Sequence, residues 1–314
     1  MLDALEKALV PELTAPVSVA VRSFAASVAR GMPAPPLGVL FYGSMLRKAD
    51  PDGILDFYVV TETGRDVPGG AAIRVANCLL PPNVFYSEHR YEGQVYRAKI
   101  AVLSRKQFMA RTGPRSTDTT LWARFCQPVR LVWVRDVDAA DYVLNLIARC
   151  VTTAAFWAGA LAVPGPGQPA VAYWDGLFAR TYGSELRVES SARSKRLIEG
   201  AEEHFAQILP LAWHRAGLGF TYKDTHYALS LSERQCQRAV AQWQKARRFG
   251  KVLNVLRLLK AAFTFTDGAA YLAWKIQRHT GIDLALSPFE QRHPLLCLPV
   301  LLWRYRKEKR AVLR

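Results

Sequence analysis

The chain has 314 residues, 50% of them hydrophobic, and its 42 Lys or Arg stand against 26 Asp or Glu, a formal net charge of +16. A chain of this length can bury one large core or two ordinary ones, and the excess of positive charge calls for an anionic partner or surface. The five cysteines lie far apart without a Cys-x-x-Cys pair, and the six histidines show no ligand spacing. These patterns argue against a disulfide framework and against zinc, so we expect a reducing compartment.

The predicted elements change character along the chain. Residues 1–30 show apolar residues near helical spacing, and their acidic start is unlike a basic targeting signal. A β-rich stretch follows, with candidate strands at 38–42, 54–60, 71–78, 82–86, 94–103 and 128–134. Helical patterns at 136–161 and 173–243 flank a Pro-Gly break. This order of elements predicts an α+β fold.

The most informative local pattern is a turn between two apolar strands. The first predicted strand runs into Tyr42-Gly43-Ser44, and the second carries Asp56. The backbone N–H groups of such a turn can hold a triphosphate, and a carboxylate on the next strand can hold Mg²⁺. The pattern is typical of the start of a nucleotidyltransferase. Taken alone, it is also what an ordinary turn followed by a hydrogen-bonded carboxylate looks like.

The second metal ligand does not come from the same strand. Nucleotidyltransferases of this type usually carry two carboxylates two residues apart, but Ile54 and Tyr58 stand at those distances from Asp56. Asp52, in the loop before the strand, is the remaining candidate for the metal. Its surroundings, Asp50-Pro51-Asp52-Gly53, are equally a turn sequence.

Further motifs follow the turn and Asp56 in order. They are Val84-Phe85-Tyr86, Lys99-Ile100-Ala101-Val102, Ala123-Arg124-Phe125-Cys126-Gln127-Pro128-Val129, Tyr182-Gly183-Ser184-Glu185-Leu186-Arg187, Lys260-Ala261-Ala262-Phe263-Thr264 and Tyr271-Leu272-Ala273-Trp274-Lys275. Over roughly residues 38 to 280, the chain resembles the mitochondrial translocator assembly and maintenance type of phosphatidate cytidylyltransferase, a peripheral-membrane CDP-diacylglycerol synthase. It departs from that family at Gln127, where the family has lysine.

The resemblance implies a CTP:phosphatidate cytidylyltransferase that uses Mg²⁺ and releases pyrophosphate. It implies catalytic roles for Asp56, Lys99 and Arg124, nucleotide binding by the Tyr42-Gly43-Ser44 turn, and contacts of Glu185 and Arg187 with the substrate phosphate. Residue types alone leave other readings open. Lys99 also fits a solvated strand position, Arg124 a partner of the backbone at a helix end, and Arg187 one half of an ion pair with a nearby glutamate.

Three parts are therefore expected. They are a nucleotidyltransferase-like mixed-sheet catalytic domain at 1–135, a helical substrate-binding domain at 136–244, and a basic amphipathic tail at 245–314.

The tail concentrates the positive charge of the chain. From Lys245 to Arg314 there are 15 Lys or Arg and 4 Asp or Glu, a net +11. Basic and apolar residues adjoin in it, as in helices that lie in an anionic bilayer surface, so we expect a cytoplasmic protein attached peripherally to the inner face of a membrane. The segment Leu144–Val163 is expected to be a core helix. The alternative is a tail helix that packs on the protein's own core. Nucleic acid is a less favoured partner, because binding to its phosphates does not require such long Leu-rich helix faces.

Two other functions remain open from the sequence. One is a nucleotidyltransferase of the same superfamily that acts on RNA or a small molecule. The other is a membrane-binding relative without catalytic activity. The absence of a second carboxylate two residues from Asp56 agrees with this alternative.

Overall fold

The computed structural model describes residues 1–47, 53–162, 165–184 and 197–264, and beyond them the single positions 287, 289, 290, 300 and 304. The described residues mix helices with one five-stranded sheet, which confirms the predicted α+β class. In chain order the elements are α1 (Ala4–Thr14), α2 (Val19–Arg30), β1 (Gly38–Tyr42), α3 (Ser44–Arg47), β2 (Ile54–Thr61), α4 (Ala71–Leu79), β3 (Asn83–Tyr91), β4 (Gln94–Ser104), α5 (Arg105–Arg111), α6 (Thr120–Phe125), β5 (Arg130–Val134), α7 (Val137–Ala160), α8 (Ala170–Ser184), α9 (Glu202–Arg215), β6 (Phe220–Lys223), β7 (His226–Leu229) and α10 (Glu233–Thr264).

The main sheet has the strand order β3-β4-β2-β1-β5. β2 and β4 run parallel, whereas β1–β2, β1–β5 and β3–β4 are antiparallel. The parallel pair requires a crossover, and the chain between the two strands supplies it with α4 and the edge strand β3. Between the first two strands, the described residues form the short helix α3.

Helices cover both faces of the sheet. On the α7 face, Leu40 and Tyr58 join a core built with α1, α6 and α7. On the opposite face, Phe41 and Phe57 pack against Phe24 of α2. Because side chains alternate along a strand, the apolar runs of β1 and β2 supply both cores at once. Their continuous hydrophobicity follows from this double burial.

α7 forms the centre of the helical layer. By length and composition it could cross a membrane, and it is the one helix among the described residues with these properties, but 72% of its most apolar stretch is buried inside the protein. α1, α8 and α9 pack against it, with Trp213 of α9 donating a hydrogen bond to the Ala155 carbonyl at 2.8 Å. The prediction of a core helix in this segment is confirmed as far as Ala160.

Two local predictions are wrong. The candidate strand at 71–78 is the helix α4, and the segment predicted as helical to 243 contains the β6–β7 hairpin. The Asn77 side chain of α4 accepts a hydrogen bond from the backbone N–H of Asn83 at 2.6 Å. The side-chain amide of Asn83 in turn donates to the Ile73 carbonyl at 2.8 Å. These bonds between side chains and backbone tie the end of the helix to β3.

α10 passes without a break through position 245, where the tail was expected to begin. Trp243 and Ala246 are buried, and Trp243 packs on Trp122 and Trp157. The inner side of this helix therefore behaves as a core helix, the alternative left open by the sequence. The division of the chain into domains stays a prediction.

A largely buried ion pair fastens α10 to the sheet side of the protein. Arg257 donates to both carboxylate oxygens of Asp118 and, from Nε and Nη2, to the Pro81 carbonyl at 3.2 and 3.0 Å. Asp118 also pairs with Arg111 at 3.6 Å. Burial raises the pKa of Asp118, but the Arg257 guanidinium outweighs it, so the pKa lies below the ordinary 3.8. We call Asp118 and Arg257 the α10 clamp.

Breaking the α10 clamp should destabilise the protein. Asp118→Asn leaves a largely buried arginine without its counter-charge, so we expect a loss of about 3 kcal/mol in the free energy of unfolding, measured in denaturant at pH 7. Glu62→Gln, which disturbs exposed pairs with Arg105 and Arg135, should cost at most about 1 kcal/mol.

The pH dependence of this difference has a defined sign. The pKa of Asp118 is lower in the folded protein than in the unfolded chain, so its stabilising effect is present above pH 3.8 and is lost as the pH falls through the folded value. The gap between wild type and Asp118→Asn should therefore close in acid. Equal costs for the Asp118 and Glu62 variants at pH 7 would show that the clamp does not hold α10.

Candidate active site

Four polar or aromatic residues form a row across the α7 face of the sheet. Tyr42 is paired with Asp56, Asp56 with Lys99, and Lys99 with Tyr86. Residues opposite each other on neighbouring strands project to the same face with Cβ atoms about 5 Å apart. Asp56 and Lys99, predicted from separate motifs, are thus adjacent, and both are half-buried.

The Gly-Ser turn lies directly against the Asp56 carboxylate. Gly43 has φ +94°, and a Cβ at this position would lie 2.7 Å from Asp56 Oδ2. Glycine is therefore required here both by the backbone conformation and by the close approach. Ser44 begins the short helix α3 immediately beyond it. The structure brings the predicted nucleotide turn and the predicted metal ligand together.

Arg124 joins the row from α6. Its Cζ atom lies 5.1 Å from the centre of the Tyr42 ring and 5.8 Å from that of Tyr58. Tyr58 is the residue that stands where a second strand carboxylate would be, and it is buried against Tyr42 and Phe125. The arginine therefore lies over the aromatic neighbours of Asp56, although it belongs to the last turn of a helix.

A second polar row follows the first toward the outer end of β4. Glu88 is paired with Arg97 in the sheet, with their side chains 3.2 Å apart, and it accepts a hydrogen bond from the Tyr86 hydroxyl at 2.6 Å. Burial and the neighbouring Glu88 raise the pKa of Tyr86, so its hydroxyl stays protonated. Tyr86 lies in one of the sequence motifs. Glu88 and Arg97 were not predicted as site residues, because charged residues near exposed strand ends are common and do not by themselves indicate a site.

Lys260 binds protein oxygens at the start of β3. Its Nζ donates to the Leu80 and Pro82 carbonyls, the latter at 2.6 Å, and to Asn83 Oδ1 at 2.9 Å. Burial, followed by the neighbouring Arg257 and Arg111, lowers the pKa of Lys260 to about 8. This lysine belongs to a motif of the resemblance, and the described contacts give it a role in holding α10 to β3.

The remaining predicted site residues are not placed. Asp52, Glu185 and Arg187 lie outside the described residues. Among the described residues, no group of three or more His, Cys, Asp or Glu side chains gathers as a metal site would require. Asp56 fits Mg²⁺ as a single carboxylate, because this ion commonly uses one or two carboxylates together with substrate phosphates.

Comparison with known proteins adds little. No protein-family model matches the chain, and no curated protein sequence does. Among solved structures, a nucleotidyltransferase-like protein from Exiguobacterium sibiricum 255-15 is similar at 11% identity, over 91% of this chain and 88% of that one, with a TM-score of 0.25. At that score the similarity carries no argument about fold or function, which rest on the residues themselves.

The contact between Gly43 and Asp56 can be tested with two alanine substitutions. Gly93, in the turn between β3 and β4, has φ +80° but open space where a Cβ would go. Gly43→Ala and Gly93→Ala should each lose about 1–2 kcal/mol in the free energy of unfolding, because both place a side chain at positive φ. Gly43→Ala alone should also displace Asp56 and, by the nucleotide role that the resemblance implies for this turn, weaken CTP binding at least tenfold, measured by calorimetry with Mg²⁺. Equal CTP affinity in the two variants would contradict this arrangement.

Proposed function

We propose that the protein is a nucleotidyltransferase that transfers the cytidylyl group of CTP to phosphatidate, forming CDP-diacylglycerol and pyrophosphate. The observation that carries the nucleotidyl-transfer part is the packing of the Gly43 turn against Asp56, beside Lys99 on the neighbouring strand. The choice of CTP and phosphatidate comes from the ordered motifs over residues 38 to 280.

The chemistry asks for positioning and charge neutralisation. The attacking oxygen of a phosphate monoester is already ionised, so no strong general base is needed. Asp56 would hold Mg²⁺, which when bound neutralises charge on the triphosphate. Lys99 and Arg124, on either side of Asp56, would bind phosphate oxygens and stabilise the charge that develops on the leaving pyrophosphate. Tyr42, Gly43 and Ser44 would bind the nucleotide.

The exposed side of α10 supports a lipid substrate. Phe249, Val252, Val255 and Leu256 are exposed along it, and the sequence contains no Asp or Glu between Glu233 and Asp267. Its exposed cations include Lys245, Arg247, Arg248 and Lys251. Apolar and basic groups together on one helix surface suit an anionic bilayer. We propose peripheral attachment to the cytoplasmic face of a membrane through this surface, which we call the α10 outer face.

The reaction can be tested directly. Purified protein with CTP, Mg²⁺ and phosphatidate in mixed micelles should release pyrophosphate and form CDP-lipid. Asp56→Asn should lower turnover at least about 100-fold, because it removes the metal-binding charge, while the free energy of unfolding changes by less than about 1 kcal/mol. Asp141→Asn, on the exposed side of α7, is the matched control and should leave turnover unchanged.

Other outcomes would assign a different function. Turnover with RNA or a small acceptor instead of phosphatidate would identify another nucleotidyltransferase. Absence of Mg²⁺-dependent CTP binding, together with vesicle binding, would identify a non-catalytic membrane protein. Full activity of Asp56→Asn would end the metal assignment.

Attachment through the α10 outer face has its own test. Val252→Asn combined with Leu256→Asn should reduce sedimentation with anionic vesicles, and binding of the wild type should fall at high salt because each basic residue near the surface contributes about 1 kcal/mol at low salt. Turnover on bilayer phosphatidate should fall in parallel, while turnover on a soluble short-chain phosphatidate stays unchanged. Val19→Asn combined with Val137→Asn, at exposed positions on α2 and α7, is the control. Equal vesicle binding by the two double variants would exclude this face.

A further inference from the structure

Arg124 is held by two tyrosines that flank Asp56 in the sheet. Tyr42 stands opposite Asp56 on β1, and Tyr58 is two residues further along β2, on the same face. The guanidinium carbon lies 5.1 and 5.8 Å from their ring centres, within the range of a cation–π interaction. The rings are themselves fixed, because both pack against Phe125, at 5.6 and 5.0 Å between centres.

The ring of Tyr58 is also fixed by its place in the protein interior. Tyr58 is buried in the core under α6 and α7, so its ring has little room to move. Its contact with Arg124 therefore joins a long, charged side chain to an ordered part of the core.

This arrangement gives a reason for the departure at position 58. A carboxylate there would bring a second negative charge beside Asp56. Tyr58 brings no charge and holds a positive group in its place. The site therefore presents one carboxylate on β2, Lys99 on β4 and a cation on the side of β1.

We propose that Tyr58, assisted by Tyr42, is a positioning residue that fixes the Arg124 guanidinium for binding of the nucleotide phosphates. The proposal rests on the proposed nucleotidyl transfer for the identity of the ligand. Its physical advantage is preorganisation: an arginine that is already ordered in the free protein loses less side-chain freedom when phosphate binds.

The first experiment needs no ligand. In arginine-labelled protein, the guanidinium NMR signals of Arg124, assigned by their absence in Arg124→Lys, should show restricted rotation in the wild type. Tyr58→Leu and Tyr42→Leu, each of which removes one of the two rings, should both speed that rotation. Tyr173→Leu removes another buried ring, which packs on Trp213 at 5.1 Å between ring centres, and should leave the Arg124 signals unchanged.

The second experiment measures CTP affinity in a double-mutant cycle. Tyr58→Leu should weaken CTP binding about fivefold, the effect of one buried cation–π contact. In an Arg124→Ala background, the same substitution should weaken it by less than about twofold. The Tyr173→Leu control should bind CTP like the wild type.

The two experiments separate failure of this proposal from failure of the proposed function. Free rotation of Arg124 in the wild type, or equal weakening by Tyr58→Leu in both backgrounds, would overturn the positioning role. If the wild type binds no CTP, the proposed function fails, and unchanged Arg124 signals in Tyr58→Leu and Tyr42→Leu would then reject the positioning role by themselves.

Discussion

The candidate site depends on the register of β2 between its two neighbours. Asp56 faces Tyr42 on one side and Lys99 on the other because β2 pairs antiparallel with β1 and parallel with β4 at those positions. A slip of one residue would send Asp56 to the α2 face. Burial of β1 and β2 on both faces prevents such a slip, since it would also expose or misplace Leu40, Phe57 and their neighbours. The two hydrophobic cores therefore hold the polar row in register.

The same packing explains why the polar residues lie at one end of the strands. Tyr58, Val60 and the residues opposite them belong to the core under α6 and α7. Asp56 and Lys99, two or more residues earlier on their strands, lie beyond the edge of that core and remain half-buried. Partial burial strengthens electrostatic interactions while leaving the groups reachable from outside. The core thus sets where chemistry on this face can occur.

Strands and the central part of the site could be predicted from the sequence because their signals are local. The turn at Gly43 and the apolar runs around Asp56 and Lys99 needed no tertiary information. The β6–β7 hairpin gave no such signal: Asp224 and Thr225 adopt φ values of +48° and +66°, where a hairpin turn would normally show Asn-Gly. The α10 clamp joins residues 139 positions apart, and Tyr58 acquires its partner only when α6 is packed on the sheet. No periodicity or spacing reports such pairings.

The contacts of α10 also change what the formal charge of this chain means. Arg257 is neutralised by a buried carboxylate, and the ammonium of Lys260 is enclosed by three protein oxygens with its pKa lowered to about 8. Neither cation contributes fully to the potential that an approaching anion experiences at the surface. The net charge of +16 already counts Asp118 against Arg257, so this ion pair leaves the total unchanged, and only the lowered pKa of Lys260 removes positive charge, as the pH rises through about 8. Among the described helices, α10 thus uses two of its cations as internal fastenings, and these two are not available at the surface to an approaching anion.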